Sequence, residues 1–160
     1  MKSACFTGHR TLSGDIINLK ETIYNALEYY IKYHGLTDFY AGGAVGWDTL
    51  AALTVIKLRK VYPHIRLHLI LPCSNEEQTA KWSFKDKDIF YTILSEADNI
   101  EYTSTYYYNG CMKARNTRLV ECADICFCYW NTKNFHSGTA QTVNMARRKH
   151  IDIINFMRDK

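Results

Sequence analysis

The hydrophobic period of this chain switches back and forth between two values, and that alternation limits the fold more than any other feature. Runs of strand character at residues 4–7, 38–41, 65–71, 99–102, 124–130 and 151–156 are separated by segments whose apolar residues recur at helical spacing. Ile16, Leu19, Ile23, Leu27 and Tyr30 predict a helix over residues 15–33, with Gly35 as its stop. A second helix is predicted over residues 48–62, ended by Pro63. Phe90, Ile93, Leu94 and Ala97 mark a third, Met112, Leu119 and Ala123 a fourth, and residues 139–149 a fifth. Residues 124–130 are almost all apolar, as a strand covered on both faces must be. Strands and helices alternating with short connections predict an α/β fold of three layers, α/β/α, around a mostly parallel sheet of about six strands. No repeat, low-complexity stretch or linker interrupts the pattern, so residues 1–160 are expected to form a single domain.

Composition adds exclusions. The net charge is only +4, from 20 basic and 16 acidic residues, which is too balanced to favour a nucleic-acid partner. Twelve tyrosines fit a tyrosine-rich core or an oligomer interface, and a homo-oligomer is expected. Six cysteines include no C-x-x-C pair, and no secretory signal is read ahead of them. They are expected to be free thiols in a reducing cytoplasm. No apolar run reaches the length of a membrane span. His64 and His68 lie on one strand face without acids or cysteines at ligand spacing, so no metal and no cofactor are expected.

In an open parallel sheet, ligands bind beyond the carboxyl ends of the strands. Five loops there carry the chemistry. Residues 40–48, Tyr-Ala-Gly-Gly-Ala-Val-Gly-Trp-Asp, read as strand end, tight turn and helix start. Gly42, Gly43 and Gly46 suit a backbone that turns sharply or approaches a phosphate at a helix N-terminus, or a plain strand–helix connection. Asp48 either stabilises the helix dipole or belongs to the site, where it would accept from a ribose hydroxyl or act on water. A carboxylate beside an anion-binding loop repels phosphate, which favours the sugar contact. Gly8 follows the first strand and permits close approach. Arg10 can pair with a phosphate or carboxylate, and His9 is either a general acid–base or a surface turn residue. Pro72, Gln78 and Trp82 follow the third strand, as a base-reading wall or a packed loop. Arg115 and Asn116 sit early in a helix near Met112. There Arg115 would bind phosphate, stabilise a leaving group, or make a surface ion pair. Ser137, Gly138 and Thr139 open the last helix as a second anion site, with Ser137 also suited to cap it.

Taken together, Thr-Gly-His-Arg at 7–10, Gly-Gly-Ala-Val-Gly-Trp-Asp at 42–48, Leu-Pro-Cys with Gln78 and Trp82 at 71–82, Cys-Met-Lys-Ala-Arg-Asn at 111–116 and Ser-Gly-Thr at 137–139 resemble the YpsA-like proteins of the SLOG superfamily. The resemblance spans nearly the whole chain, in order. It implies a Rossmann-like domain that binds a nucleotide or a nucleotide-derived ligand, such as a nucleoside phosphate or an ADP-ribose-like molecule. The superfamily includes the Lonely Guy-type enzymes, which hydrolyse the N-glycosidic bond of nucleoside monophosphates. Met112, Arg115 and Asn116, the strand at 124–130, and Gly138 and Thr139 are similar to their motifs. The position of their acidic residue is Thr142 here, and their Pro-Gly-Gly is replaced by Asn134-Phe135-His136.

Three readings follow. The first is a cytoplasmic nucleotide-ligand-binding protein. Its ligand would be held by Gly8, Arg10, Gly42, Gly43, Gly46, Asp48, Arg115, Asn116, Ser137, Gly138 and Thr139. The second is an N-glycosidic-bond hydrolase in which Asp48 and Arg115 do the chemistry and Asp48 replaces the missing acid. The third is a single-stranded nucleic-acid binder using Tyr106–Tyr108 and the basic run at 147–149. Binding and turnover both remain open at this stage.

Overall fold

A computed structural model describes residues 2–157. Its six strands are β1 (Ser3–Gly8), β2 (Asp38–Ala41), β3 (Arg66–Leu71), β4 (Asn99–Tyr102), β5 (Ile125–Tyr129) and β6 (Asp152–Asn155). All pair in parallel, in the order β4-β3-β2-β1-β5-β6. The helices are α1 (Ile16–His34), α2 (Trp47–Arg59), α3 (Asn75–Thr79), α4 (Phe84–Glu96), α5 (Cys111–Cys122) and α6 (Gly138–Arg148). This is the Rossmann-like three-layer arrangement that the alternation implied, with every strand pair parallel.

The layers follow from which side chains each strand presents. Ala4 and Phe6 of β1, Phe39 of β2, Leu67 and Leu69 of β3 and Phe127 of β5 face α1, α2 and α4. Cys5, Cys126, Cys128 and Ile70 face α5 and α6. β5 is buried at every position because helices cover both of its faces. α1 starts where the Asp15 carboxylate accepts from the Asn18 amide at 3.0 Å, and stops where Gly35 takes a left-handed φ of 68°.

Most element ends lie within a residue of the sequence pattern, and two features depart further. α2 ends at Arg59, ahead of residue 62, although Lys60 keeps right-handed helical angles. The residues between tighten through Lys60 and Val61 amides that donate to Lys57 and Leu58 carbonyls three residues back. α3 lies between Pro72 and Trp82, where the sequence pattern places a wall or a packed loop and no helix. It is five residues long, too short to show a period, and is capped by Ser74, whose hydroxyl accepts from the Glu77 amide at 3.3 Å.

After β4 the chain crosses back over the sheet through α5, which packs over β1, β2 and β3, and re-enters beside β1 as β5. The direction of strand addition therefore reverses between β1 and β5. At such a reversal the loops leaving neighbouring strands part and open a crevice at the carboxyl edge.

Candidate functional site

The crevice is a cleft of about 300 Å³. Eight predicted residues line it: Gly8, Arg10, Asp48, Arg115, Asn116, Ser137, Gly138 and Thr139. They come from the β1 loop, the N-terminus of α2, the first turns of α5 and the start of α6. Phe6, Thr7, His9, Ala44, Met112 and Leu119 complete the lining. Gly42, Gly43 and Gly46 do not line it, although they shape it from behind.

The glycine loop is built for contacts within the chain. A Cβ on Gly42 would lie 2.5 Å from Arg115 Nη1 and 3.0 Å from Asp48 Oδ2. Gly46, at φ 80°, lies against the carbonyls of His9 and Arg10. Gly43 faces Leu71 and Phe90, and its carbonyl accepts from Gln78 Nε2 at 3.2 Å. Gln78 thus braces the loop from behind, and Trp82 packs edge-on against Phe90 at 5.4 Å. The Trp47 indole fills the space beside Gly8. It stacks on Tyr129 at 5.5 Å and donates from Nε1 to the Phe127 carbonyl at 3.2 Å. The close approach Gly8 permits is therefore made by this indole.

Asp48 is only 5% exposed. Its Oδ2 accepts from the Ala44 amide at 3.3 Å, while its Oδ1 is buried without a hydrogen-bond partner among the described residues. Burial raises its pKa from 3.8 to about 6, against the opposing pull of Arg115 and Arg10. The carboxylate occupies the positive end of α2 itself, so the chain supplies its own anion there.

Arg115 is also buried, and each of its three nitrogens donates within its own chain. Nη1 donates to the Gly42 carbonyl, Nε to Asn116 Oδ1 at 2.8 Å, and Nη2 to the Met112 sulfur at 3.7 Å. Burial lowers its pKa, and Asp48 opposes that shift. Arg10 differs: it is exposed and makes no hydrogen bond or ion pair among the described residues, although its charge reaches Asp48 and Arg115. Arg10 is the cation free to meet an anionic ligand.

At α6 the Ser137 hydroxyl accepts from the Ala140 amide at 3.0 Å, so Ser137 is a helix cap. The Gly138 and Thr139 amides, next in line, have no partner among the described residues and lie in the cleft wall. Thr142 is fully buried, its hydroxyl donating to the Gly138 carbonyl at 2.9 Å. No acid stands at that helix position.

His9 ties the cleft to the β5 loop. Its amide donates to the Tyr129 carbonyl at 3.1 Å, and its Nε2 accepts from the Asn131 amide at 2.8 Å. Burial lowers its pKa, which keeps the ring neutral and the acceptor available. Among the described residues no group of three or more His, Cys, Asp or Glu side chains is placed to hold a metal, and all six cysteines are free. No helix among them is long and apolar enough to cross a membrane.

An all-parallel sheet with a crevice at its strand reversal defines a Rossmann-like α/β protein. The family is narrower. Residues 9–158 match the YspA SLOG family (YpsA), and the chain belongs to it. A prophage-derived protein of Bacillus subtilis, YoqJ, itself uncharacterised, is 26% identical over 85% of this chain and 84% of its own length. A UPF0398 protein of Brevibacillus brevis is 37% identical over 42% of this chain. The match spans about a third of that relative's length, 35%. The crystal structure of TM1055 superposes with a TM-score of 0.59 at 15% identity, over 96% of this chain and 72% of that one. That likeness extends to the fold alone.

Proposed function

We propose that the chain binds a nucleotide or nucleotide-derived ligand in the cleft between β1, α2, α5 and α6. One observation carries the reading: Asp48 lines the cleft, and its Oδ1 is buried without a hydrogen-bond partner among the described residues. An unsatisfied buried acceptor costs about 1–3 kcal/mol, which a ligand hydroxyl or N–H restores. A ribose hydroxyl supplies that donor. The free amides of Gly138 and Thr139 and the side chain of Arg10 suit the phosphate. Arg115 then acts from within, setting the field around Asp48 and holding the glycine loop. The test is calorimetry with nucleoside mono- and diphosphates and ADP-ribose. At least one is expected to bind, with affinity falling tenfold or more in both Arg10→Ala and Asp48→Asn. Absence of heat and of thermal stabilisation across the panel would overturn the reading.

A second reading has its own support. A carboxyl group with a pKa near 6 exchanges protons close to neutral pH, as general acid–base work requires. In that reading Asp48 replaces the missing helix acid: water adds at the anomeric carbon of a nucleoside monophosphate, the N-glycosidic bond breaks, and the base leaves with a proton that Asp48 relays. Release of free base, abolished in Asp48→Asn, is the expected result. Intact nucleotide after prolonged incubation removes it.

The free thiols support a cytoplasmic setting. The exposed tyrosines of α1, Tyr29 and Tyr33, support a homo-oligomer, which native mass spectrometry reads directly. The basic run at 147–149 gives little support to nucleic-acid binding. Arg147 lies over the Trp130 ring at 5.5 Å, and Lys149 Nζ donates to the carbonyls of Val120, Glu121 and Ala123.

A further inference from the structure

A second cleft, of about 550 Å³, opens at the same sheet edge on the α1 side. Its floor is apolar, formed by Leu19, Tyr129, Phe156 and Met157. The floor is held in place by Ser13, whose amide donates to the Tyr129 hydroxyl at 3.2 Å. Its rim is polar: Asp15, Asn18 and Thr22 run along one face of the α1 start, and Lys133 stands on the β5 loop. A rise of 1.5 Å per residue spreads those three side chains over about 10 Å. The Asn18 amide group and the Lys133 ammonium have no hydrogen-bond or ion-pair partner among the described residues.

The two clefts adjoin. His9 lines the first and Asn131 the second, and the hydrogen bond from the Asn131 amide to His9 Nε2 is the ridge between them.

We propose that the second cleft receives a neutral sugar carried by the nucleotide. The ligand then lies across the His9–Asn131 ridge, with phosphate at the start of α6 and sugar along α1. This rests on the nucleotide reading of the first cleft. Three features select a sugar. Asp15 and Lys133 balance in charge, so the rim does not call for a second anion. The polar groups are staggered along a helix face, which suits hydroxyls projecting in turn from a ring better than the coplanar edge of a base. The apolar floor fits the C–H face of a pyranose or furanose.

The experiment compares ADP and UDP with ADP-ribose, ADP-glucose and UDP-glucose by calorimetry. It uses the full chain and the double variant Asn18→Leu, Lys133→Ala. Both positions are exposed, and circular dichroism verifies the variant's fold. At least one diphosphate sugar is expected to bind ten times more tightly than its parent diphosphate. That gain should vanish in the double variant while affinity for the diphosphate stays the same. Equal affinity for sugar and parent forms, or a gain that survives the double variant, overturns the inference and leaves the first cleft's reading standing. Failure of every diphosphate and every diphosphate sugar to bind overturns the inference, and the first cleft's reading falls with it once the mononucleotides fail as well.

Discussion

Asp48→Asn removes a buried charge while keeping the shape of the side chain, and its effect on stability depends on pH in a calculable way. Desolvation lifts the folded pKa from 3.8 to about 6 even with Arg115 and Arg10 near. The folded state therefore holds the proton more tightly than the unfolded chain does. The associated stability is fully present below the unfolded pKa and is lost as pH rises through about 6. The complete loss corresponds to about 3 kcal/mol, of which about 2 kcal/mol falls between pH 4.5 and 7.5. Asparagine stays neutral throughout, and its amide oxygen can still accept from Ala44. Urea unfolding of both proteins across that range should show the variant gaining about 2 kcal/mol relative to wild type as pH rises. A flat difference, or a variant that loses ground with rising pH, would refute the reasoning. A flat difference would mean that attraction from Arg115 cancels desolvation, and a variant losing ground that it outweighs it and leaves Asp48 charged.

Two more perturbations test how the site is held. Gly8→Ala drives a methyl into the Trp47 indole, with an expected loss of about 1–3 kcal/mol in denaturant unfolding and a changed tryptophan emission. Lys149→Met removes the ammonium that bonds three carbonyls at the end of α5. An expected loss of about 1–2 kcal/mol, with faster hydrogen exchange in the last turn of that helix, checks this role.

The fold was legible because its cues are local. β2 and β4 occupy residues 38–41 and 99–102, where the strand pattern placed them, and Gly35 stops α1 through a left-handed φ that glycine adopts freely. α3 was hidden because five residues carry no period. The candidate site was legible as a set of loops, since the carboxyl edge of a parallel sheet gathers them. The direction in which each loop faces was not. Glycine spacing at 42–46 reads identically whether a phosphate or the chain's own guanidinium occupies the space, and the structure puts Arg115 and Asp48 there. Arg10 and Arg115 likewise look equivalent in sequence. Only long-range packing separates the buried cation from the free one. Ala44 carried no signal at all, because it acts through its backbone amide.

The internal ties of Arg115 set a limit on how this cleft can respond to an arriving molecule. A guanidinium bonded to Gly42, Asn116 and Met112 has no slack with which to swing outward. Its contribution is present before any encounter and is the same for every visitor. Ordering a long side chain on association costs about 0.5–1.5 kcal/mol, and here that ordering is completed during folding. Within this cleft, adaptation to the proposed ligand would fall to Arg10, its exposed cation. The fixed interior charge would rank ligands by where their own donors and anions sit.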